Sequence, residues 1–101
     1  MSLVCQFGGQ GTALQNMTCP GGAEYCGTVH PKEGQHKDQK AYSCMLSSFL
    51  KELGYTKTPG ETLTCQEITV NNVDGEVCAC TKDYCNYGST LKVSKRNFNL
   101  V

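Results

Sequence analysis

The sequence contains few of the large apolar side chains that fill a protein core. Among its 101 residues there are no tryptophans, three phenylalanines and five tyrosines. A chain of this length forms one domain, and the surface that it buries on folding supports only a modest core. A second source of stability is therefore expected.

The sequence also lacks net charge and long apolar runs. Nine lysines and arginines balance nine aspartates and glutamates, so nucleic acid and anionic membranes find no broad electrostatic attraction. No segment approaches the ~20 apolar residues that cross a bilayer. We therefore expect no nucleic-acid partner, and a membrane contact only through an anchor whose signal has been removed.

Cysteine is abundant by comparison. Eight cysteines in so short a chain predict four disulfides. Disulfides form outside the cytosol, so we expect an extracellular protein, either secreted or at the cell surface. Met1-Ser2-Leu3 leads directly to Cys5 without a signal peptide, which predicts a mature chain whose leader has been removed. Spacing alone leaves 105 possible pairings open.

Three hairpin-like loops are predicted, each with cysteines at its base. Short β-like runs separated by glycine, proline and asparagine indicate loops from Cys5 to Cys19, from Cys26 to Cys44 and from Cys65 to Cys78. In the third loop, residues 71–75 are predicted to form the turn between two strands, and Asp74-Gly75 is the hairpin signal within it.

One segment has helical periodicity. Apolar residues at positions 45, 46, 49, 50 and 53 lie on one helical face, and Gly54 provides a C-terminal stop. We expect the helix to pack on the strands through Phe49, Leu50 and Leu53. The alternative is that these side chains remain exposed and form an interface with a partner.

The last cysteines form a dense group that closes on an asparagine, Cys78-Ala79-Cys80 followed by Cys85-Asn86. The full ladder, C-x13-C-x6-C-x17-C-x20-C-x12-C-x-C-x4-C-N, resembles that of the three-finger family over residues 3–86. This family includes snake neurotoxins, the complement-regulating protectin, urokinase receptor modules and activin-type receptor ectodomains.

The resemblance implies a small disulfide-rich all-β fold of three antiparallel hairpins in a single domain, residues 1–86, followed by a polar tail, residues 87–101. It implies a structural role for Asn86, whose carboxamide would bond main chain near the first strand. It also implies four disulfides: Cys5 with Cys26, Cys19 with Cys44, Cys65 with Cys78, and Cys80 with Cys85.

Two features depart from the family pattern. Ala79 separates two cysteines that are usually adjacent, a shift that a β-bulge could absorb. The connector from Cys44 to Cys65 is longer than a toxin's and carries the predicted helix, which favours a receptor-like protein over a venom toxin.

Neither a metal site nor an active site is predicted. Cys78, Cys80 and Cys85 together with His30 and His36 supply zinc-type ligands, but without the spacing of a zinc knuckle. The acidic residues Glu76 and Asp83 are interpreted as solvated surface groups. No catalytic motif is present, so we expect a non-enzymatic protein without a cofactor.

These observations favour a module that binds an extracellular or cell-surface protein as a ligand, a modulator or a receptor ectodomain. A receptor ectodomain predicts a contiguous apolar patch on the sheet. The alternative is a structural or surface-coat protein. Asn16-Met17-Thr18 is a candidate N-glycosylation site. The small residues among 87–90 are suited to a glycolipid anchor, but the basic and polar residues 92–97 follow in place of the hydrophobic tail of an anchor signal. We therefore expect either an anchor signal beyond this sequence or a freely secreted protein. The sequence does not identify the partner.

Overall fold

Six antiparallel strands and one short helix make up the described part of the chain. The computed structural model describes residues 3–9, 13–33 and 39–86; the predicted tail and the tips of the first two loops lie outside these ranges. The small, disulfide-rich all-β class is confirmed, and the helix lies in the predicted connector. The elements are β1 Val4–Gly9, β2 Gln15–Thr18, β3 Tyr25–Pro31, β4 Ala41–Met45, α1 Ser47–Leu53, β5 Thr64–Val70 and β6 Val73–Cys80.

The strands form one sheet in the order β2-β1-β4-β3-β6-β5. Successive side chains of a strand point to opposite faces, and two separate clusters of buried residues result. We call the first the helix-side cluster; it contains Met45, Leu50, Tyr55, Val77 and Ala79. We call the second the sulfur cluster; it contains Cys5, Cys19, Cys26 and Cys80.

Gly27 allows close packing at the centre of the sheet. It pairs with Ser43 on one side and with Ala79 on the other. A Cβ atom at this position would lie 2.7 Å from the carbonyl oxygen of Cys78 and would overlap the side chain of Met45. Only glycine therefore fits here without displacing the helix-side cluster.

Four disulfides hold the strands together, and all eight cysteines take part in them. They are the pairs that the resemblance implied: Cys5–Cys26, Cys19–Cys44, Cys65–Cys78 and Cys80–Cys85. The bonded cysteines are 21, 25, 13 and 5 residues apart. In the chain-entropy model, closing loops of these lengths destabilises the unfolded chain by roughly 2 to 3.5 kcal/mol each.

The segment after β6 fixes the position of β1. The Val4 amide donates to the Asp83 carboxylate at 2.9 Å, and the Tyr84 amide donates to the Val4 carbonyl at 2.7 Å. The fully buried side chain of Asn86 accepts from the Gln6 amide at 2.9 Å and donates to the Gln6 and Gly27 carbonyls at 3.1 and 3.0 Å. Asn86 thus bonds main chain of the first strand and of the central strand.

Ala79 requires no bulge, contrary to the sequence-based suggestion. From Gly75 to Cys80, β6 pairs residue for residue with β3, and its pairing with β5 up to Ala79 is equally regular. Cys78 and Cys80 share one face because they are two residues apart, and Ala79 points into the helix-side cluster. The extra residue is accommodated by normal strand alternation.

The turn of the third hairpin occupies the first two residues of the predicted turn, residues 71–75. Asn71 and Asn72 form a two-residue turn with φ values of 53° and 67°, while Asp74-Gly75 lies within β6. Two successive left-handed residues characterise the type I′ hairpin turn, and asparagine tolerates this region better than most residues. The predicted turn therefore contains the observed one but is too long, because Asp74-Gly75 belongs to the strand.

The helix is shorter than its periodicity predicted. Met45 is the last residue of β4, where it is buried, and Leu46 is the N-cap, with extended backbone at φ −96° and ψ 149°. Both residues fit the helical spacing, but the β4 pairing of Met45 with Tyr25 takes precedence. Tertiary pairing here overrides a local pattern.

Candidate functional site

Helix α1 is defined at both ends by backbone geometry. At its start, the Ser47 amide donates to the Glu24 carboxylate at 3.3 Å, and the N-cap Leu46 offers no capping side chain. At its end, Gly54 adopts a left-handed φ of 98°. The amide of Gly54 bonds the carbonyl of Lys51, and that of Tyr55 bonds the carbonyl of Leu50, as in glycine C-caps.

The helix divides its apolar residues between core and solvent. Leu50 is buried, and Leu53 is half-buried against the helix-side cluster, so these two pack as predicted. Phe49 does not pack in this way, because 42% of its surface is exposed. Leu46 is 46% exposed. Leu46 at the N-cap and Phe49 in the first turn are thus two exposed apolar side chains at the start of α1, and we call them the helix patch.

A cleft lies between α1 and the chain that follows it. Its volume is about 270 Å³ and its surface is mainly apolar. The following segment is held in place by four hydrogen bonds to β5. The Tyr55 hydroxyl donates to the Thr64 carbonyl at 2.8 Å. The Gln66 side chain accepts from the Thr56 amide and hydroxyl at 2.8 and 3.3 Å and donates to the Gly54 carbonyl at 3.0 Å. The cleft is lined by Tyr25, Ser47, Leu50, Lys51, Tyr55, Thr56, Lys57 and Pro59.

The charges at this cleft are of one sign. Lys51 and Lys57 are exposed lining residues, and no aspartate or glutamate lines the cleft. Within the described ranges, neither lysine forms a salt bridge. Burial raises the pKa of Tyr55, and the nearby Tyr25 raises it further. The cleft is therefore cationic at its rim and uncharged at its floor.

A second, polar groove lies near the third hairpin turn. Its volume is about 330 Å³. Asp74 accepts a hydrogen bond from the Thr69 hydroxyl at 2.7 Å, which lowers its pKa; its hydrogen bond with Glu33 lowers it further. That same bond, together with the negative charge of Asp74, raises the pKa of Glu33. The Lys32 ammonium lies 3.3 Å from the Glu67 carboxylate on the same groove.

This carboxyl pair was not predicted from the sequence. The β5–β6 register places Thr69 opposite Asp74, and the Lys32 amide donates to the Asp74 carbonyl at 2.8 Å, which brings Glu33 close. The sequence feature that could have indicated the pair is the Asn71-Asn72 turn, because a two-residue turn fixes the register between β5 and β6.

No match was found to a protein-family model, to a curated protein or to a solved structure. The resemblance to the three-finger family therefore depends on the cysteine ladder alone.

Among the described residues, the candidate zinc ligands of the sequence belong to a β-strand or to disulfides. His30 lies in β3 opposite Glu76 of β6, and His36 lies outside the described residues. Two groups of potential ligands lie close together, Cys5 with Cys19 and Cys44, and Cys65 with Glu76 and Cys78. Every sulfur in these groups belongs to a disulfide, whereas the thiolate is the form that binds metal.

Glu76 and Asp83, the two acidic residues interpreted from the sequence as solvated surface groups, lie in different parts of the structure. Asp83 accepts a hydrogen bond from the Val4 amide in the segment that fixes β1. Glu76 is half-buried in β6, between Glu67 and His30 of the neighbouring strands.

The candidate glycosylation residue lies at a sheet edge. Asn16 is an exposed residue of the edge strand β2, and its side-chain oxygen accepts a hydrogen bond from the Gln6 side chain at 2.8 Å.

Within the described residues, no helix has the length and apolarity that crossing a bilayer requires.

Proposed function

We propose that the protein is a non-enzymatic extracellular binding module of the three-finger type, secreted or attached through a glycolipid anchor. The proposal is supported by the cysteine ladder and by four disulfides in the pairing typical of that family. It is also supported by Asn86, which bonds buried main chain of two strands. Disulfides at this density are typical of secreted and cell-surface proteins.

The observation that carries the binding role is the helix patch. Single exposed apolar residues are common on protein surfaces. Leu46 and Phe49, however, are two large exposed side chains at the start of the helical insertion, and the residues that follow them in the chain, Ser47 and Leu50, line an apolar cleft. Aromatic side chains are enriched among the residues that dominate protein–protein affinity. The proposed partner is an extracellular or cell-surface protein that presents an apolar patch of its own.

The test compares two matched substitutions of exposed apolar residues. Phe49→Asp introduces a charge into the helix patch, and Val73→Asp introduces the same charge at an exposed residue beside the third turn. We expect Phe49→Asp to weaken the dominant interaction found by affinity capture from extracellular extracts. A loss of about 2 kcal/mol, typical of a hot-spot residue, corresponds to roughly thirtyfold in affinity. Val73→Asp should bind as the wild type does.

Folding is monitored separately by disulfide mapping and thermal unfolding. Because Phe49 is exposed, its aspartate variant should keep all four disulfides and unfold at nearly the wild-type temperature. Equal capture by the wild type and Phe49→Asp would contradict a role for the helix patch in binding.

A structural or surface-coat protein is the second candidate, favoured by the two sheet edges. Strands β2 and β5 are the outermost strands of the described sheet, and edge strands offer unpaired backbone groups to other chains. Sedimentation over a range of protein concentrations separates the candidates. A coat protein should assemble progressively as concentration rises, whereas a binding module should sediment as a fixed species.

A further inference from the structure

The cleft beside α1 is close in size to a small-molecule site. Its volume of about 270 Å³ is just under the roughly 300 to 1,000 Å³ of known ligand pockets. Known ligand sites are concave and mostly apolar, with a few polar groups that orient the ligand. The cleft is thus matched to a compact ligand and is too small for a long lipid chain.

The floor of the cleft is suited to an apolar group. Leu50 is buried beneath it, and Tyr55 is 5% exposed. The hydroxyl of Tyr55 is already donated to the Thr64 carbonyl, so this side chain offers its ring rather than a polar group. Pro59 adds a further apolar surface opposite the helix.

The rim of the cleft is suited to an anion. Lys51 is in the last turn of α1, and Lys57 is in the connector that follows. Neither ammonium is neutralised by an ion pair among the described residues. The Glu24 carboxylate accepts the Ser47 amide at 3.3 Å at the start of the helix, so its negative charge lies at that end of the cleft, and the acid group of a ligand belongs at the lysine end. An ammonium paired with a carboxylate gains both Coulomb attraction and a charge-assisted hydrogen bond.

We propose that this cleft binds a small amphiphilic carboxylate, whose acid group contacts Lys51 and Lys57 and whose apolar body covers Leu50 and Tyr55. The two requirements are complementary: a neutral apolar molecule would leave both ammonium groups without a partner, and a small inorganic anion would leave the apolar floor uncovered. The site is separate from protein binding by the helix patch, and the inference does not depend on that function.

The test is a titration of the oxidised full chain with octanoate, followed through backbone amide chemical shifts in NMR spectra. We expect saturable shifts centred on Leu50, Tyr55 and Thr56. Octan-1-ol, which has the same apolar body without the charge, should bind more weakly. The variant with both Lys51→Gln and Lys57→Gln should bind octanoate roughly two- to thirtyfold more weakly, the range expected for two exposed ion pairs.

A matched charge control is available in the polar groove near the third hairpin turn. Lys32 is an exposed lysine that lines this groove and does not line the cleft, so Lys32→Gln removes one positive charge without altering the cleft lining. This variant should bind octanoate as the wild type does, and the octanoate affinity should fall as sodium chloride is added.

Three results would overturn the proposal. These are octanoate shifts that do not saturate or that centre away from the cleft, equal affinity for octanoate and octan-1-ol, and unchanged octanoate affinity in the double lysine variant. All these variants change exposed side chains, so each should keep the wild-type spectrum in the absence of octanoate.

Discussion

The two buried clusters of the sheet are stabilised by different interactions. In the sulfur cluster, Cys5, Cys26 and Cys80 are fully buried and covalently bonded, and Asn86 adds buried hydrogen bonds. The helix-side cluster instead depends on packing of side chains such as Leu50 and Val77. The first cluster is fixed by bonds with strict geometry, whereas the second is held by non-directional apolar contact.

This difference explains where the surface is available for function. Because disulfides constrain the strands from one side, the connector that carries α1 can differ in length and sequence without loss of the framework. The helix uses Leu50 and Leu53 for packing and leaves Phe49 exposed. The cleft lies on the same side, and both proposed binding sites therefore belong to the region that is held by packing.

The largest effect is expected from Asn86→Ala. The change removes one acceptor and two donors from buried main-chain groups of Gln6 and Gly27. A buried polar group left unsatisfied costs about 1 to 3 kcal/mol, so we expect the free energy of unfolding to fall by about 4 kcal/mol. Urea unfolding of the oxidised protein measures this change.

Asn16→Ala is the matched control for this experiment. Asn16 also bonds Gln6, but through a single part-buried contact between side chains, in which Asn16 itself is exposed at a sheet edge. Its removal should lower the free energy of unfolding by about 1 kcal/mol, the net contribution of one hydrogen bond. Similar losses for the two alanine variants would show that burial of the Asn86 bonds is not what makes them important.

An intermediate effect is expected from Leu50→Ala in the helix-side cluster. Removal of a buried leucine side chain typically costs about 2 to 5 kcal/mol, and the small size of this cluster places our expectation near 3 kcal/mol. Phe49→Ala, one position away and exposed, should change the free energy of unfolding by less than about 1 kcal/mol. Thermal and urea unfolding of the two variants provide the measurement, and equal destabilisation would contradict the division of the helix into packed and exposed residues.

The sulfur cluster was the more predictable of the two regions. Its disulfides and the contacts of Asn86 correspond to residue types at a recognisable spacing, in which four residues separate Cys80 from Cys85 and Asn86 follows directly. The resemblance to a known ladder therefore supplied both. Covalent pairing leaves a sequence pattern because each bond needs two residues of one rare type.

The helix-side region was less predictable because packing leaves a degenerate pattern. Met45, Leu46 and Phe49 all fit the helical spacing, yet only Met45 is buried, and it is in a strand. The cleft could not be predicted, since it depends on how Gln66 holds the connector after Gly54. Apolar periodicity indicates that a side chain can be buried, while the tertiary arrangement decides whether it is.

The smallest effect is expected at the third hairpin turn, where the exposed carboxyls of Glu33 and Asp74 interact outside both clusters. We expect Glu33 to titrate above its ordinary pKa of 4.5 and Asp74 below its ordinary 3.8. Because the pKa of Glu33 is raised on folding, Glu33 adds stability at low pH, and this stability is lost as pH rises through its pKa in the folded protein. Because the pKa of Asp74 is lowered on folding, Asp74 adds stability above its ordinary pKa, and this stability is lost as pH falls through its pKa in the folded protein. These contributions oppose each other, so the pH dependence of unfolding should change little, and NMR titration of the individual carboxyls is the sensitive measurement.

The pairing of the two carboxyls is tested by substitution. Asp74→Asn removes the charge and should return the pKa of Glu33 towards 4.5, whereas Glu67→Gln in the same groove should leave the pKa of Glu33 raised. An ordinary Glu33 pKa in the wild type would contradict the pairing.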